Sequence, residues 1–267
     1  MDKPQTVYRY HPEGQLRPVE DMPEKLLVAD SFFVDNGLAR APELHRNRFI
    51  ESSKILAGIP ARELDRFWQL AMQAIPATGQ WFPRVELLFS KKQPALQIRL
   101  RPAPARRNEA RLILCGTPDK RARPRHKGPD ITWLTARRNT AADMGADEGI
   151  LCTPSQYLLE GLFSTIMWWE GETLCQTPLS RRILPSVTAK LVRQIAADRG
   201  IPVAFRFKRY HELNGCRTWV VNALHGIRSA ADWPLAPWHS PVHTDRDEWQ
   251  ETLHSRFLRP IHAPFSN

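Results

Sequence analysis

Between Val85 and Gly116 the chain carries three short apolar runs, VELLFS, ALQIRLR and ARLILCG. Each is too short for an ordinary helix, and only Lys91-Lys92-Gln93-Pro94 separates the first two. Such runs read as strands, the first two forming a hairpin. A sheet built this way must be covered. Two helical segments precede it in sequence. Residues 43–57 show helical spacing around Leu44, Phe49 and Ile55, and ARELDRFWQLAMQAI, after Pro60, sets Leu64, Phe67, Trp68, Ala71 and Ile75 on one stripe. Further upstream, KLLVADSFFVDNG reads as two short strands turning at Asn36-Gly37. The start, MDKPQTVYRYHPEG, is polar, without the apolar run of a secretory signal.

The pattern changes after TPDKRARPRHKGPD, which is rich in proline and charge and reads as an interdomain linker. Asp130 is placed to N-cap a helix that runs to Gly145. Short strands follow in EGILC, YLLEG, FSTIMWW and ETLC. Ser186 opens a helix to about Arg199 with Gly200 as its stop, and PVAFRFKR and TWVVNAL are later strands. The expected fold class is α/β: a small α+β domain over residues 1–124 and a larger mixed α/β domain over 125–267. The tail after Trp233 shows no clear element.

With 267 residues, 42% of them hydrophobic, the chain can bury a sizeable core without staples. Cys115, Cys152, Cys175 and Cys216 lie far apart, with no metal-ligand spacing, and read as free thiols of a reduced, cytoplasmic protein. The longest apolar stretch, Leu158 to Trp169, is interrupted by Glu160 and is too short to span a bilayer. Net charge is +10; 29 of the 38 basic residues are arginine, and they thicken between Arg99 and Arg125. Solvated loop arginines explain this most simply, and a pocket for anionic substrates and a phosphorylated cofactor would use some of them. A nucleic-acid partner would also account for the charge, yet no zinc-finger spacing or RNP-like aromatic motif accompanies it.

Lysine is scarce, nine residues in all, and Lys127 stands alone in HKGPDITWL just before a helix. A lysine at a domain junction can lose its water, and desolvation lowers its pKa toward the neutral nucleophile that Schiff-base chemistry needs. By position alone it reads first as a solvated loop lysine. Its company is more telling. KGPDITWLTARRNTAADMGADEGIL, LLEGLFSTIMW and TPLSRRILPSVTAKL follow one another, ELHRNRF and ALQIRLRPAPARR precede them, and WVVNALHGIR comes after. Over about residues 26–229 this succession resembles the class IV aminotransferases, which include branched-chain and D-amino-acid aminotransferases and aminodeoxychorismate lyases.

The resemblance implies a D-amino-acid-aminotransferase-like fold and pyridoxal 5′-phosphate as cofactor. Lys127 matches the lysine that holds the cofactor and shuttles the substrate Cα proton. Glu160 matches the carboxylate paired with the pyridine nitrogen. Val187 and Thr188, at a helix start, match the residues whose amides cradle the phosphate. Arg48, three after His45, matches the phosphate-clamping arginine, and Ala223 falls at another phosphate contact, through its backbone amide. Arg101 and Arg106 occupy the places of the active-site loop arginines that take a substrate carboxylate, and Ser31 falls where relatives face the cofactor with a hydroxyl. The resemblance further implies a homodimer whose active site lies between the two domains.

Several positions depart from the family pattern. Its LPG reads Leu184-Pro185-Ser186, its TR reads Thr188-Ala189, its SN reads Ser164-Thr165 and its first R-G reads Arg101-Pro102. No tyrosine follows Lys127 at four or five residues, where Ile131 and Thr132 stand. The missing tyrosine speaks against a branched-chain substrate, and the arginine-rich loop favours a multiply anionic one. The reaction expected is therefore aminodeoxychorismate cleavage to 4-aminobenzoate and pyruvate, or an amino-acid transamination. A non-catalytic descendant that binds a ligand or partner is the competing reading, with the basic nucleic-acid-binding protein behind it.

Overall fold

The computed structural model describes residues 5–11, 13–238, 240–241 and 244–263. In chain order the strands and helices are β1 (Thr6–His11), β2 (Gln15–Val19), β3 (Lys25–Ser31), β4 (Val34–Asp35), β5 (Leu38–Arg40), α1 (Pro42–Ala57), α2 (Ala61–Gln73), β6 (Gln80–Trp81), β7 (Arg84–Ser90), β8 (Gln93–Leu100) and β9 (Glu109–Leu114). They continue with α3 (Ile131–Asp143), β10 (Glu148–Cys152), β11 (Leu158–Gly161), β12 (Thr165–Glu170), β13 (Thr173–Gln176), α4 (Val187–Asp198), β14 (Val203–Phe205), β15 (Thr218–Asn222), β16 (Gly226–Asp232), α5 (Arg246–Phe257) and β17 (Leu258–Pro260). The protein is a mixed α/β fold that divides into two compact units. The first comprises the chain up to Ala105, His126–Pro129 and the chain from Phe257; the second comprises Arg106–Arg125 and Asp130–Arg256.

The first unit centres on an antiparallel sheet in the order β2-β1-β8-β7-β3. Its β7–β8 hairpin closes on two residues, Lys91 and Lys92, both at positive φ, a tighter turn than the four residues expected. Helix α2 buries Leu64, Phe67, Trp68, Ala71 and Met72, and Ile75, one residue past its cap, joins the same core. Helix α1 differs from its sequence expectation. Phe49 is buried, Leu44 is half-buried and Ile55 is exposed, and the inward stripe includes His45, Ser52 and Ser53. A small sheet, β17-β5-β4-β6, flanks the core and turns at Asn36-Gly37, both at positive φ.

The second unit holds a mixed sheet in the order β11-β10-β9-β16-β15-β12-β13-β14. Strand β9 lies inside it, third from one edge and parallel to both β10 and β16. This pairing places residues 106–125 with the second unit, whereas the sequence sets the boundary at 124. Conversely, Lys127 and β17 pack with the first unit. Asp130 precedes α3 without capping it through its side chain. Its carboxylate instead accepts the Ala122 and Arg123 N–H groups at 2.8 and 2.9 Å, folding the linker back on itself. Helix α4 starts at a true side-chain cap, Ser186 Oγ accepting the Ala189 N–H at 3.2 Å. The tail contains α5, whose Trp249 packs against Trp169 and Trp219 with ring centroids 5.7 and 5.1 Å apart. Among the described residues no helix is long and apolar enough to cross a membrane.

Candidate active site

In the first unit, Lys127 is held from both sides. Its carbonyl accepts the Ala29 N–H of β3 at 2.7 Å. The next residue, Gly128, has φ +132, and a Cβ there would lie 2.7 Å from Ala29 N and 2.8 Å from Val28 C. Only glycine fits. Immediately after Ala29 comes Asp30, fully buried, which accepts Arg48 Nε and Nη2 at 2.8 and 2.9 Å and meets His45 Nδ1 at 2.7 Å. Burial alone would raise this carboxyl, but the charge and hydrogen bonds of Arg48 and His45 hold it well below the usual carboxylate range. His45 is pushed down, by burial first and by the Arg48 and Arg40 guanidinium groups, against the pull of Asp30.

Burial, and the positive charge of Arg48, Arg84 and Arg101, push the Lys127 amine down to about 8, with Asp30 opposing them. Arg101 is fixed by its Nε bond to the Phe82 carbonyl at 3.1 Å, by the Phe82 ring 5.2 Å from its Cζ, and by the reciprocal Phe82 N–H to Arg101 O bond of 2.9 Å. Its Nη2 lies 3.5 Å from Ser31 Oγ. Arg84, opposite Ser31 in the β3–β7 register, is paired with the buried Glu86. Lys127, Arg48, Arg101 and Ser31 are therefore gathered in one unit, with Asp30, His45 and Arg84 added to them.

In the second unit, Glu160 is buried at the end of β11 and pairs with Arg121, which also takes Asp119. The Leu184 N–H points at the Glu160 carboxylate, 3.0 Å from Oε1 and 3.2 Å from Oε2. Burial pushes Glu160 up to about 7 against the ion pair and hydrogen bond from Arg121. Asp119 is held low: burial would raise it, and the Arg121 bonds prevail. The loop from Leu184 leads directly to Val187 and Thr188, both buried in the first turn of α4. Helix α4 packs on β15, which ends in a turn where Asn222 Oδ1 accepts the Leu224 and His225 N–H groups at 3.1 and 2.8 Å. Ala223 sits within that turn. Arg106 is exposed at the start of this unit. The sequence reading missed Asp30, Arg84, Asp119 and Arg121, because each earns its place through a partner distant in sequence.

Chemically, the first unit offers a lysine amine lowered to about 8 amid fixed guanidinium groups, so that a larger neutral fraction is present near neutral pH than for an ordinary lysine. The second offers a buried carboxylate and a capped helix N-terminus. A family model described as Amino-transferase class IV matches residues 27–233. Among solved structures, the chain is similar to a branched-chain aminotransferase from the archaeon Thermoproteus uzoniensis, with a TM-score of 0.82 at 18% identity over 96% of this chain and 99% of that one. A hypothetical aminotransferase from Mycobacterium tuberculosis, in its apo form, gives 0.78 at 20% identity over 95% and 99% of the two chains. A fold IV transaminase from Curtobacterium pusillum gives 0.77 at 19% over 94% and 98%. No curated protein matches the sequence.

Proposed function

Since the chain belongs to the class IV aminotransferase family, whose enzymes use pyridoxal 5′-phosphate, we propose that Lys127 holds that cofactor and that the substrate is an amino acid carrying more than one anionic group. The observation that carries this reading is that the Lys127 segment is held against β3 beside Asp30, which orients Arg48; desolvation and the positive charge of Arg48, Arg84 and Arg101 lower its amine to about 8. Taken one by one, the residue types suit the parts of the cofactor. A neutral amine suits its carbonyl, Glu160 suits its ring nitrogen, and Arg48 with the first-turn amides of Val187 and Thr188 suits its phosphate. Ala223 would add a backbone contact from the β15–β16 turn.

When bound, the cofactor supplies an electron sink for a bond broken at the substrate Cα. Lys127, with a pKa near the working pH, takes and returns the Cα proton. Glu160, in the ionised form that Arg121 favours, would hold a proton on the ring nitrogen. Arg101, immobilised against Phe82 and beside the Ser31 hydroxyl, is oriented to hold a substrate carboxylate, and Arg84 supplies a second cation.

These cations favour a substrate with two or more carboxylates over a branched-chain one. Aminodeoxychorismate cleavage, giving pyruvate and 4-aminobenzoate, is the narrower reaction we infer. Transamination of a dicarboxylic amino acid satisfies the same arginines and is its rival. The family resemblance supports a homodimer, which light scattering would check, and four free thiols suit the reducing cytoplasm.

The test is the visible spectrum of the purified protein with added pyridoxal phosphate, before and after borohydride, beside Lys127→Ala. A band at roughly 410–430 nm, a cofactor property, that borohydride fixes at Lys127 is the expected result. Pyruvate released from aminodeoxychorismate without an added keto acid would mark the lyase. A keto-acid-dependent amino transfer would mark the transaminase. If wild type and Lys127→Ala gave the same spectrum, the reading would fail.

A further inference from the structure

Lys127 is preceded by a histidine whose bond reaches another element. His126 Nδ1 lies 3.0 Å from Ser52 Oγ, and Ser52 is buried on α1. Ser52 stands four residues after Arg48 and seven after His45, so all three lie on one face of that helix. The stripe that orients Arg48 through Asp30 thus also receives His126. Three successive residues are then tied down: His126 to α1, the Lys127 carbonyl to Ala29 of β3, and Gly128 pressed against Val28 and Ala29. A lysine side chain has several rotatable bonds, so where its amine sits depends on how firmly its backbone is fixed.

We propose that His126 is a positioning residue for Lys127, its hydrogen bond to Ser52 fixing the lysine's backbone beside the α1 face that carries Arg48, so that the amine stays among the guanidinium groups. This rests on Lys127 being the cofactor lysine. The geometry itself is independent of that role and can be tested without cofactor.

The variants are His126→Phe, which fills the ring's space without the bond, Ser52→Ala, the double variant, and His126→Asn, whose amide can still meet Ser52. In the cofactor-free protein, labelling of Lys127 by an amine-specific acylating reagent is followed by mass spectrometry across pH. Wild-type Lys127 should titrate near 8. In His126→Phe and Ser52→Ala the midpoint should rise by about one pH unit, leaving about tenfold less neutral amine at pH 7. The double variant should match the singles, because both remove one interaction, and His126→Asn should restore the wild-type midpoint. Spectral titration with pyridoxal phosphate should show affinity weakened about fivefold or more in the first two variants, an effect on the order of 1 kcal/mol. Wild-type labelling midpoints and affinities in Ser52→Ala, a small change that keeps α1 intact, would overturn the proposal even if His126→Phe failed to fold. A wild type whose Lys127 titrates low but binds no cofactor would instead sink the cofactor assignment and leave the positioning intact.

Discussion

Asp30 grips Arg48 along one edge of its guanidinium, through Nε at 2.8 Å and Nη2 at 2.9 Å, and the oxygen that takes Nη2 also meets His45 Nδ1. A planar fork held at two points has a fixed orientation, which is what an anion site requires. The carboxylate belongs to β3, the strand against which Gly128 packs. One short segment, Val28–Asp30, therefore sets both the lysine and the arginine proposed for the cofactor.

Replacing Asp30 by Asn should cost about 3–5 kcal/mol, the range for breaking a buried ion pair and leaving its partner charge buried. Urea unfolding at neutral pH would measure it. The pH dependence has a definite sign. Asp30 sits below its ordinary value of 3.8 in the folded protein, so its contribution is present above that value and fades as pH falls below it. The wild type should lose this stability in the acid range, and Asp30→Asn should lack that part of the acid slope. An unchanged acid slope in the variant would show that Asp30 is not ionised in the fold.

Glu160 should behave in the opposite way. Burial pushes it up from 4.5 to about 7, so the folded state holds a proton that the unfolded chain releases. Stability of the cofactor-free protein should decline as pH rises from about 4.5 to 7, by about 3 kcal/mol at most. Glu160→Gln should flatten that decline, since Arg121 keeps Asp119 as its partner, while weakening pyridoxal-phosphate binding. Melts across pH, read beside a spectral titration, would check both halves. A variant that kept the decline would assign it to another group, such as Glu148, which burial also raises.

How much of this was legible in the sequence depended on how local each signal was. The α2 stripe and the β7–β8 hairpin are read from neighbours in sequence, and both stand in the fold. Helix α1 misled because its inward face serves Asp30 and His126, so His45 and Ser52 point in while Ile55 is 62% exposed. Helix α5 escaped notice because Trp249, Leu253 and Phe257 form a one-residue-wide stripe in an otherwise polar segment. Strands β1 and β2 escaped similarly, with Val7 their one fully buried side chain. Motif resemblance supplied Lys127, Glu160 and Arg48, but their partners came only from packing. Arg121 meets Glu160 across 39 residues and Asp30 meets Arg48 across 18. Arg84, just before the VELLFS run, carries no local signal in the sequence that marks it.

Gly128→Ala should be among the costliest single changes near the site. Alanine is strained at φ +132, and its Cβ would meet backbone atoms of Val28 and Ala29 that have no flexible end to yield. A loss of about 2 kcal/mol or more in urea unfolding is expected, backbone strain of this kind costing about 1–3 kcal/mol before the clash is counted. The Lys127 amine should move with the displaced backbone, visible as a shifted labelling midpoint. A variant as stable as wild type would show that the segment is not pressed onto β3.

The phosphate role of the α4 N-terminus can be separated from simple capping at one residue. Ser186 Oγ accepts the Ala189 N–H, and Ser186→Ala should cost about 1 kcal/mol of stability, the usual loss of a side-chain cap. Aspartate is an equally good cap and is favoured by the helix dipole, so Ser186→Asp should melt like wild type or slightly above it. If Val187 and Thr188 hold the cofactor phosphate, however, the new carboxylate places a negative charge beside that dianion. Pyridoxal-phosphate affinity should then fall about tenfold or more, with the loss growing as salt is lowered, because the repulsion is screened by ions. The two readouts move in opposite directions only if the helix end binds the anion. A Ser186→Asp protein that is stable and binds pyridoxal phosphate as tightly as wild type would assign α4 a capping role alone and send the phosphate elsewhere.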